Sequence, residues 1–342
     1  MSKIIIIGAG AMGSAFSVPC LENKNDVTLV GTHLEDSLIE NIKSNKNIHP
    51  ALNTVLPKSL KIESFKKLNN ILESGVDIIV CGISSVGIEW FVNQISKNYK
   101  KKIPIVLLTK GLAILDNELI TLSEKIRKLL KNKGHDQINI SAIKGPCLAA
   151  GLANKMRTGT VIANPNIEET QILKKIISTD YYSTEISSDL NGVELSGAIK
   201  NIYSMVIGAS EGLSNSEAST AIQKKYYLNT AASLIHRSIS EMVEFVSYYG
   251  GKPDTVYGLA GLGDLYVSAI GGRNSLMGKY LGQGYLYKDA KEKFMKNVTV
   301  EGAQLALEVG PKILNELNSK HFPLMFSLLN TICDNKKLEI NW

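Results

Sequence analysis

Close cysteine pairs are missing from this chain. Its four cysteines, Cys20, Cys81, Cys147 and Cys333, contain no CxxC, which argues against a zinc site or a thioredoxin-like motif. The opening apolar run, residues 4–7, is far too short to span a membrane, and no basic and apolar signal segment precedes it. A cytoplasmic protein without stable membrane insertion is expected. Internal repeats, a heptad seam and low-complexity tracts are also absent. Charge of one sign is not concentrated either. The net charge is +6, and the lysine runs at 100–102 and 131–133 read as solvated helix ends and loops. That is a weak case for nucleic acid, whereas a mild positive balance suits an anionic small molecule. What is left is ordinary: 342 residues, 44% hydrophobic and 20% charged, enough for two globular domains.

The first positive signal is at the start. Residues 3–7 are β-branched and uniformly apolar, as in a strand buried on both faces of a parallel sheet. GAGAMG follows at 8–13 and opens a helical pattern. Glycines there allow a tight turn, close approach of a pyrophosphate and close helix–strand packing, with the helix amino terminus facing the phosphates. Strand, GxGxxG and helix together point to a dinucleotide, held by Gly8, Gly10, Ala11, Met12 and Gly13. A second strand, 26–31, runs toward the adenine ribose. Thr32 and His33 stand at its end and Glu35 and Asp36 a little later, a pattern that leaves NAD and NADP both open.

Further strand patterns lie at 77–82, 105–108, 138–143, 160–164 and 183–186, with a helix at 167–178 and a polar connection at 50–64. Lys110 follows the strand 105–108 directly, at the ligand-binding edge of such sheets, and Lys144-Gly145-Pro146-Cys147 leaves the next strand in the same direction. Near Gly192 the pattern changes from strands to helices. The expected division is therefore 1–190, α/β and dinucleotide-binding, and 191–342, helical and substrate-binding.

The helix expected at 192–212 has few charges and one lysine, Lys200, followed by Asn201. Gly197, Lys200, Ser204 and Gly208 share one face, leaving room for something to lie against it. A second helix is expected at 218–249. Residues 258–274, GLAGLGDLYVSAIGGRN, read as a glycine-rich segment around Asp264, ending in Gly272, Arg273 and Asn274. Hydride transfer to a ketone needs a proton donor at the carbonyl oxygen. A lysine with its pKa lowered by an apolar site can serve in both directions, and Lys200 is the candidate. Lys110 could polarise the carbonyl, Asp264 could orient the lysine, and Arg273 could take a phosphate, with Asn274 nearby. None of this chemistry needs a metal.

These residues carry a family resemblance. GAGAMG, TKG at 109–111, KGP at 144–146, GAIKN at 197–201 and NTAASLIHRSISEM at 229–242 occur in order, followed by GLAGLGDL at 258–265, GGRN at 271–274 and VEG at 300–302. In this the chain resembles the NAD(P)-dependent glycerol-3-phosphate dehydrogenases over nearly its whole length. The resemblance implies an α/β Rossmann-type amino-terminal domain followed by an all-α domain of the 6-phosphogluconate dehydrogenase carboxy-terminal kind, commonly as a homodimer. It implies reversible NAD(P)H-dependent reduction of dihydroxyacetone phosphate to sn-glycerol 3-phosphate. Lys200 matches the catalytic lysine, and Lys110 a residue touching cofactor and substrate. Gly145, Cys147, Asp264, Gly272, Arg273 and Asn274 match substrate positions. Ala149, Arg273 and Glu301 match cofactor contacts, beside the loop residues and Thr32 and His33. Bacterial members usually have Ser-Gly-Pro-Ser/Thr-Phe-Ala where this chain has Lys144-Gly145-Pro146-Cys147-Leu148-Ala149, and often Ser at Gly272. The Phe-to-Leu change could enlarge the pocket and Lys144 could bind an extra anionic group. A larger phosphorylated ketose or polyol is therefore the alternative substrate, and a silent nucleotide-binding sensor a more distant one. A ketopantoate-reductase-like enzyme would leave Arg273 without a use.

Overall fold

The computed structural model describes residues 1–99, 103–217 and 227–340. The lysine run at 100–102 and the first part of the helix expected from residue 218 lie outside them. The chain divides into two compact units: 1–110 with 121–190, and 111–120 with 191–342. A clean division at residue 190 is thus corrected at one place, since residues 111–120 belong with the second unit.

The first unit is built on an eight-stranded sheet. Its strands are β1 (Lys3–Ile7), β2 (Asp26–Val30), β3 (Lys61–Glu63), β4 (Ile78–Cys81), β5 (Ile105–Leu107), β6 (Ile140–Lys144), β7 (Thr158–Ala163) and β8 (Tyr182–Ser187). They lie in the order β8-β7-β6-β5-β4-β1-β2-β3. All neighbours are parallel except β6 and β7. Ile4 to Ile7 are buried, as strands covered on both faces must be. From β1 the chain lays β2 and β3 on one side, then returns to place β4 on the other. The carboxyl ends of β1 and β4 therefore form the switch point where such sheets bind ligands. Gly8 and Gly82 sit there, their N–H groups bonded to Val30 and Ile7 carbonyls at 2.9 Å each.

Among the described residues the second unit is helical over 191–340, as expected, and gains one hairpin, Leu112–Leu115 and Glu118–Thr121, from earlier in the chain. Its turn residues Asp116 and Asn117 both have positive φ, 53° and 61°, the backbone of a two-residue turn matched to strand twist. Leu112 and Leu119 are buried in the core of this unit, and the first strand packs on helix Glu301–Glu316. The helix expected at 192–212 extends over Leu190–Glu217, and the next described helix is Tyr227–Tyr248.

The glycine-rich segment 258–274 is almost wholly helical: a π-helical turn Leu259–Gly263, then helices Asp264–Gly271 and Arg273–Gly282. Glycines of helix Arg273–Gly282 and of helix Leu190–Glu217 serve close contact. A Cβ on Gly278 would strike the Met205 carbonyl, and one on Gly208 would strike the Ser275 backbone. Helix Leu190–Glu217 and helix Arg273–Gly282 thus meet backbone to backbone. What lies on the small-residue face of the long helix, at Gly208, is another helix.

Candidate active site

In the first unit the glycine loop fits a dinucleotide in each of its three glycine roles. Gly8 has φ +109°, and a Cβ there would stand 2.7 Å from the Gly82 carbonyl oxygen. Gly13 packs helix Ala11–Glu22 directly on the Gly8 backbone. Gly10 has open space on its Cβ side, where an added Cβ would meet Glu35 Oε1 no closer than 3.9 Å. Turn, helix packing and phosphate approach are thus assigned to separate glycines. Ala11 and Met12 open the helix whose amino terminus faces that space.

Around the loop, Glu35 Oε2 accepts from the N–H of Ala9 at 3.0 Å and of Thr32 at 2.8 Å. His33 is exposed and lies beside Trp90 and Phe65, with ring centroids 5.0 and 6.2 Å away. Sequence reading missed Phe65 and Trp90, because they come from separate connections and reach His33 only in the fold. It also missed His49, which is buried and bonds the loop at Ala9.

At the ends of β5 and β6, Lys110 is half-buried, and Gly145 has φ +138° with room for no Cβ against Thr160. The Cys147 N–H closes a turn on the Gly145 carbonyl at 2.8 Å, and Ala149 begins a short helix. Lys144 is not an exposed anion-binding cation. It is 2% exposed, and its ammonium donates to the carbonyls of Leu107 at 3.2 Å and Thr109 at 2.7 Å. It therefore ties β6 to the strand end that carries Lys110. Burial also pushes the Cys81 thiol up to about 12, so it is no nucleophile.

In the second unit Lys200 and Asp264 form a buried ion pair, Nζ to Oδ1 2.8 Å, with side chains 5% and 2% exposed. The Ser268 hydroxyl also accepts from Lys200 Nζ. Asp264 and Ser268 stand one helical turn apart on Asp264–Gly271, so both reach the lysine. Lys200 was expected in an apolar site with Asp264 available to orient it; the ammonium is aimed by that carboxylate and, in addition, by the Ser268 hydroxyl. Ser268 gave no signal in the sequence, since one serine in a helix is unremarkable.

The neighbouring Asn201 starts a second polar chain. Asn274 Nδ2 donates to Asn201 Oδ1 at 2.9 Å, and the N–H of Gly302 donates to Asn274 Oδ1 at 2.9 Å. Asn201 also donates to Glu301 at 3.4 Å, and Glu301 pairs with Arg273 at 3.0 Å. Gly272 caps the helix that carries Arg273 and Asn274. Arg273 and Glu301 are exposed, so the guanidinium faces water with donors to spare. Among the described residues no group of three or more His, Cys, Asp or Glu could hold a metal, and no helix is long and apolar enough to cross a membrane.

A Rossmann-type sheet with this glycine loop, and a helical unit holding a carboxylate-paired lysine, define a nicotinamide-dependent dehydrogenase. The family models for NAD-dependent glycerol-3-phosphate dehydrogenase match this chain, the N-terminal one at residues 3–170 and the C-terminal one at 189–340. The NADP(+)-dependent glycerol-3-phosphate dehydrogenase of Archaeoglobus fulgidus is 31% identical over 339 residues, 98% of this chain and 96% of that one. The glycerol-3-phosphate dehydrogenase [NAD(P)+] of Mesoplasma florum is 31% identical over 342 aligned positions, 96% and 94% of the two chains. A crystal structure of the Coxiella burnetii glycerol-3-phosphate dehydrogenase superposes with a TM-score of 0.81 at 26% identity, covering 98% of this chain and 96% of that one. The chain belongs to the NAD-dependent glycerol-3-phosphate dehydrogenase family.

Proposed function

We propose that this chain interconverts dihydroxyacetone phosphate and sn-glycerol 3-phosphate with NAD(H) or NADP(H), as a cytoplasmic homodimer. The observation that carries the reading is the buried Lys200–Asp264–Ser268 cluster, in a chain of this family. Bound nicotinamide supplies the hydride that the carbonyl carbon accepts. Lys200 gives a proton from Nζ to the carbonyl oxygen and takes it back in the reverse direction. Asp264 and Ser268 hold the ammonium in one direction and offset its burial. Arg273 and Asn274 take the substrate phosphate, with Lys110 and the turn Gly145–Cys147 on the substrate side. The loop 8–13 takes the pyrophosphate. Thr32, His33, Ala149 and Glu301 flank the cofactor, and the rings of Phe65 and Trp90 offer an apolar wall beside His33 for its adenine. With Lys144 buried on backbone carbonyls, the reason for a larger substrate with an extra anion falls away.

The test follows NADH and NADPH oxidation with dihydroxyacetone phosphate by absorbance. Turnover with at least one cofactor is expected. Lys200→Met should lower kcat by ~10²-fold or more while NADH still binds. Near-normal turnover in that variant removes Lys200 from the mechanism.

A further inference from the structure

His49 lies in the first unit, at the end of the short strand Ile48–His49, which pairs with Thr54–Val55. It is 1% exposed. Its Nδ1 accepts from the N–H groups of Ala51 at 3.2 Å and Leu52 at 3.3 Å. A nitrogen that accepts two N–H bonds carries no proton, so the ring proton is on Nε2. That nitrogen stands 3.0 Å from the Ala9 carbonyl and donates to it. The same carbonyl accepts from the Ser14 hydroxyl at 3.0 Å, and the N–H of Ala9 is held by Glu35 at 3.0 Å. Both polar groups of the peptide backbone at Ala9 are therefore fixed by side chains, and Ala9 lies between the two glycines that turn the loop and face open space.

We infer that His49 is a positioning residue for the dinucleotide loop. Its Nε2–H sets the tilt of the Ala9–Gly10 peptide, and with it the direction of the N–H groups that follow. The segment 48–55 is in this way part of the cofactor site without touching the cofactor. A loop fixed in advance spends less binding energy on ordering when phosphate arrives. The inference rests on loop 8–13 being the cofactor cradle.

Two isosteres separate this role from a purely local one. Glutamine places its amide nitrogen near Nε2 and keeps the donor to Ala9. Asparagine places its amide near Nδ1, keeps the acceptor for the Ala51 and Leu52 N–H groups, and falls short of Ala9. NADH binding to His49→Gln and His49→Asn is measured by fluorescence titration, with circular dichroism to confirm folding. His49→Gln should bind NADH like the unaltered enzyme. His49→Asn should bind about tenfold more weakly, the equivalent of one hydrogen bond. Equal affinity in the two variants, or the reverse order, overturns the proposal in favour of a turn-holding role. Gly10→Val tests the cradle itself. If it leaves NADH binding unchanged, the cradle reading fails; if it abolishes binding while the two His49 variants are alike, only the role of His49 fails. Should His49→Asn not fold, ring ¹⁵N resonances of the unaltered enzyme carry the test. Addition of NADH should shift the His49 Nε2 signal, and an unmoved signal overturns the proposal.

Discussion

Lys200 and Asp264 are two full charges removed from water, each at a cost of several kcal/mol that their pairing and the Ser268 hydroxyl help to offset. Breaking one side should therefore hurt more than deleting both. Asp264→Ala should destabilise by about 3–5 kcal/mol in urea unfolding, because it strands a buried ammonium. Lys200→Met with Asp264→Leu should recover much of that loss, and an equal loss in the double variant would show that the pair is not what the site depends on. Both residues were legible as lone charges, one on an apolar helix and one among glycines. A role for Asp264 in orienting the lysine was legible too; that Ser268 joins them was not, because 68 positions separate it from Lys200 and nothing local encodes the meeting. Lys144 shows the limit more sharply. A lysine at a strand end reads as a surface cation, and only the neighbouring strand supplies the carbonyls that bury it.

Among elements, the crossing of helix Leu190–Glu217 with helix Arg273–Gly282 sets where Lys200 and Asn274 stand. Gly278 lies at the contact, with the Met205 carbonyl where a Cβ would go. Alanine is the better helix former by about 1 kcal/mol, but overpacking of this kind costs about 1–3 kcal/mol, and the obstruction here is backbone that cannot rotate away. Gly278→Ala should therefore lower stability by about 2 kcal/mol, measured by urea unfolding. A stabilised variant would mean the helices separate readily. Sequence alone does not tell a turn glycine from a contact glycine, because glycine serves both flexible turns and close approach, and only the partner surface tells which.

For the molecule as a whole, Glu241 is a contributor to stability against pH on the acid side. Glu241 is buried, accepts from the Leu324 and Met325 N–H groups at the start of helix Pro323–Cys333, and takes the Tyr203 hydroxyl. Burial raises its carboxyl above the ordinary 4.5, against the opposing pull of those hydrogen bonds. The folded state then keeps a proton at pH values where the unfolded chain has released it. This contribution is full below the ordinary glutamate range and is lost as pH rises through the raised value. Unfolding free energies across that window should fall with pH in the unaltered enzyme and fall less in Glu241→Gln. Identical slopes would remove Glu241 as the source.

By itself the sequence determined the sheet-forming strands, the dinucleotide loop, the change to helices near residue 190 and the candidate charges. Each rests on local pattern: β-branched runs, a glycine spacing between strand and helix, or a lone ion among apolar neighbours. Only the tertiary structure decided which unit receives residues 111–120, that Lys144 points inward, that Ser268 joins Asp264 in aiming Lys200, and that His49 and Glu35 grip Ala9. Those outcomes depend on groups far apart in the chain, whose desolvation is tolerable only when a specific distant partner arrives to satisfy it.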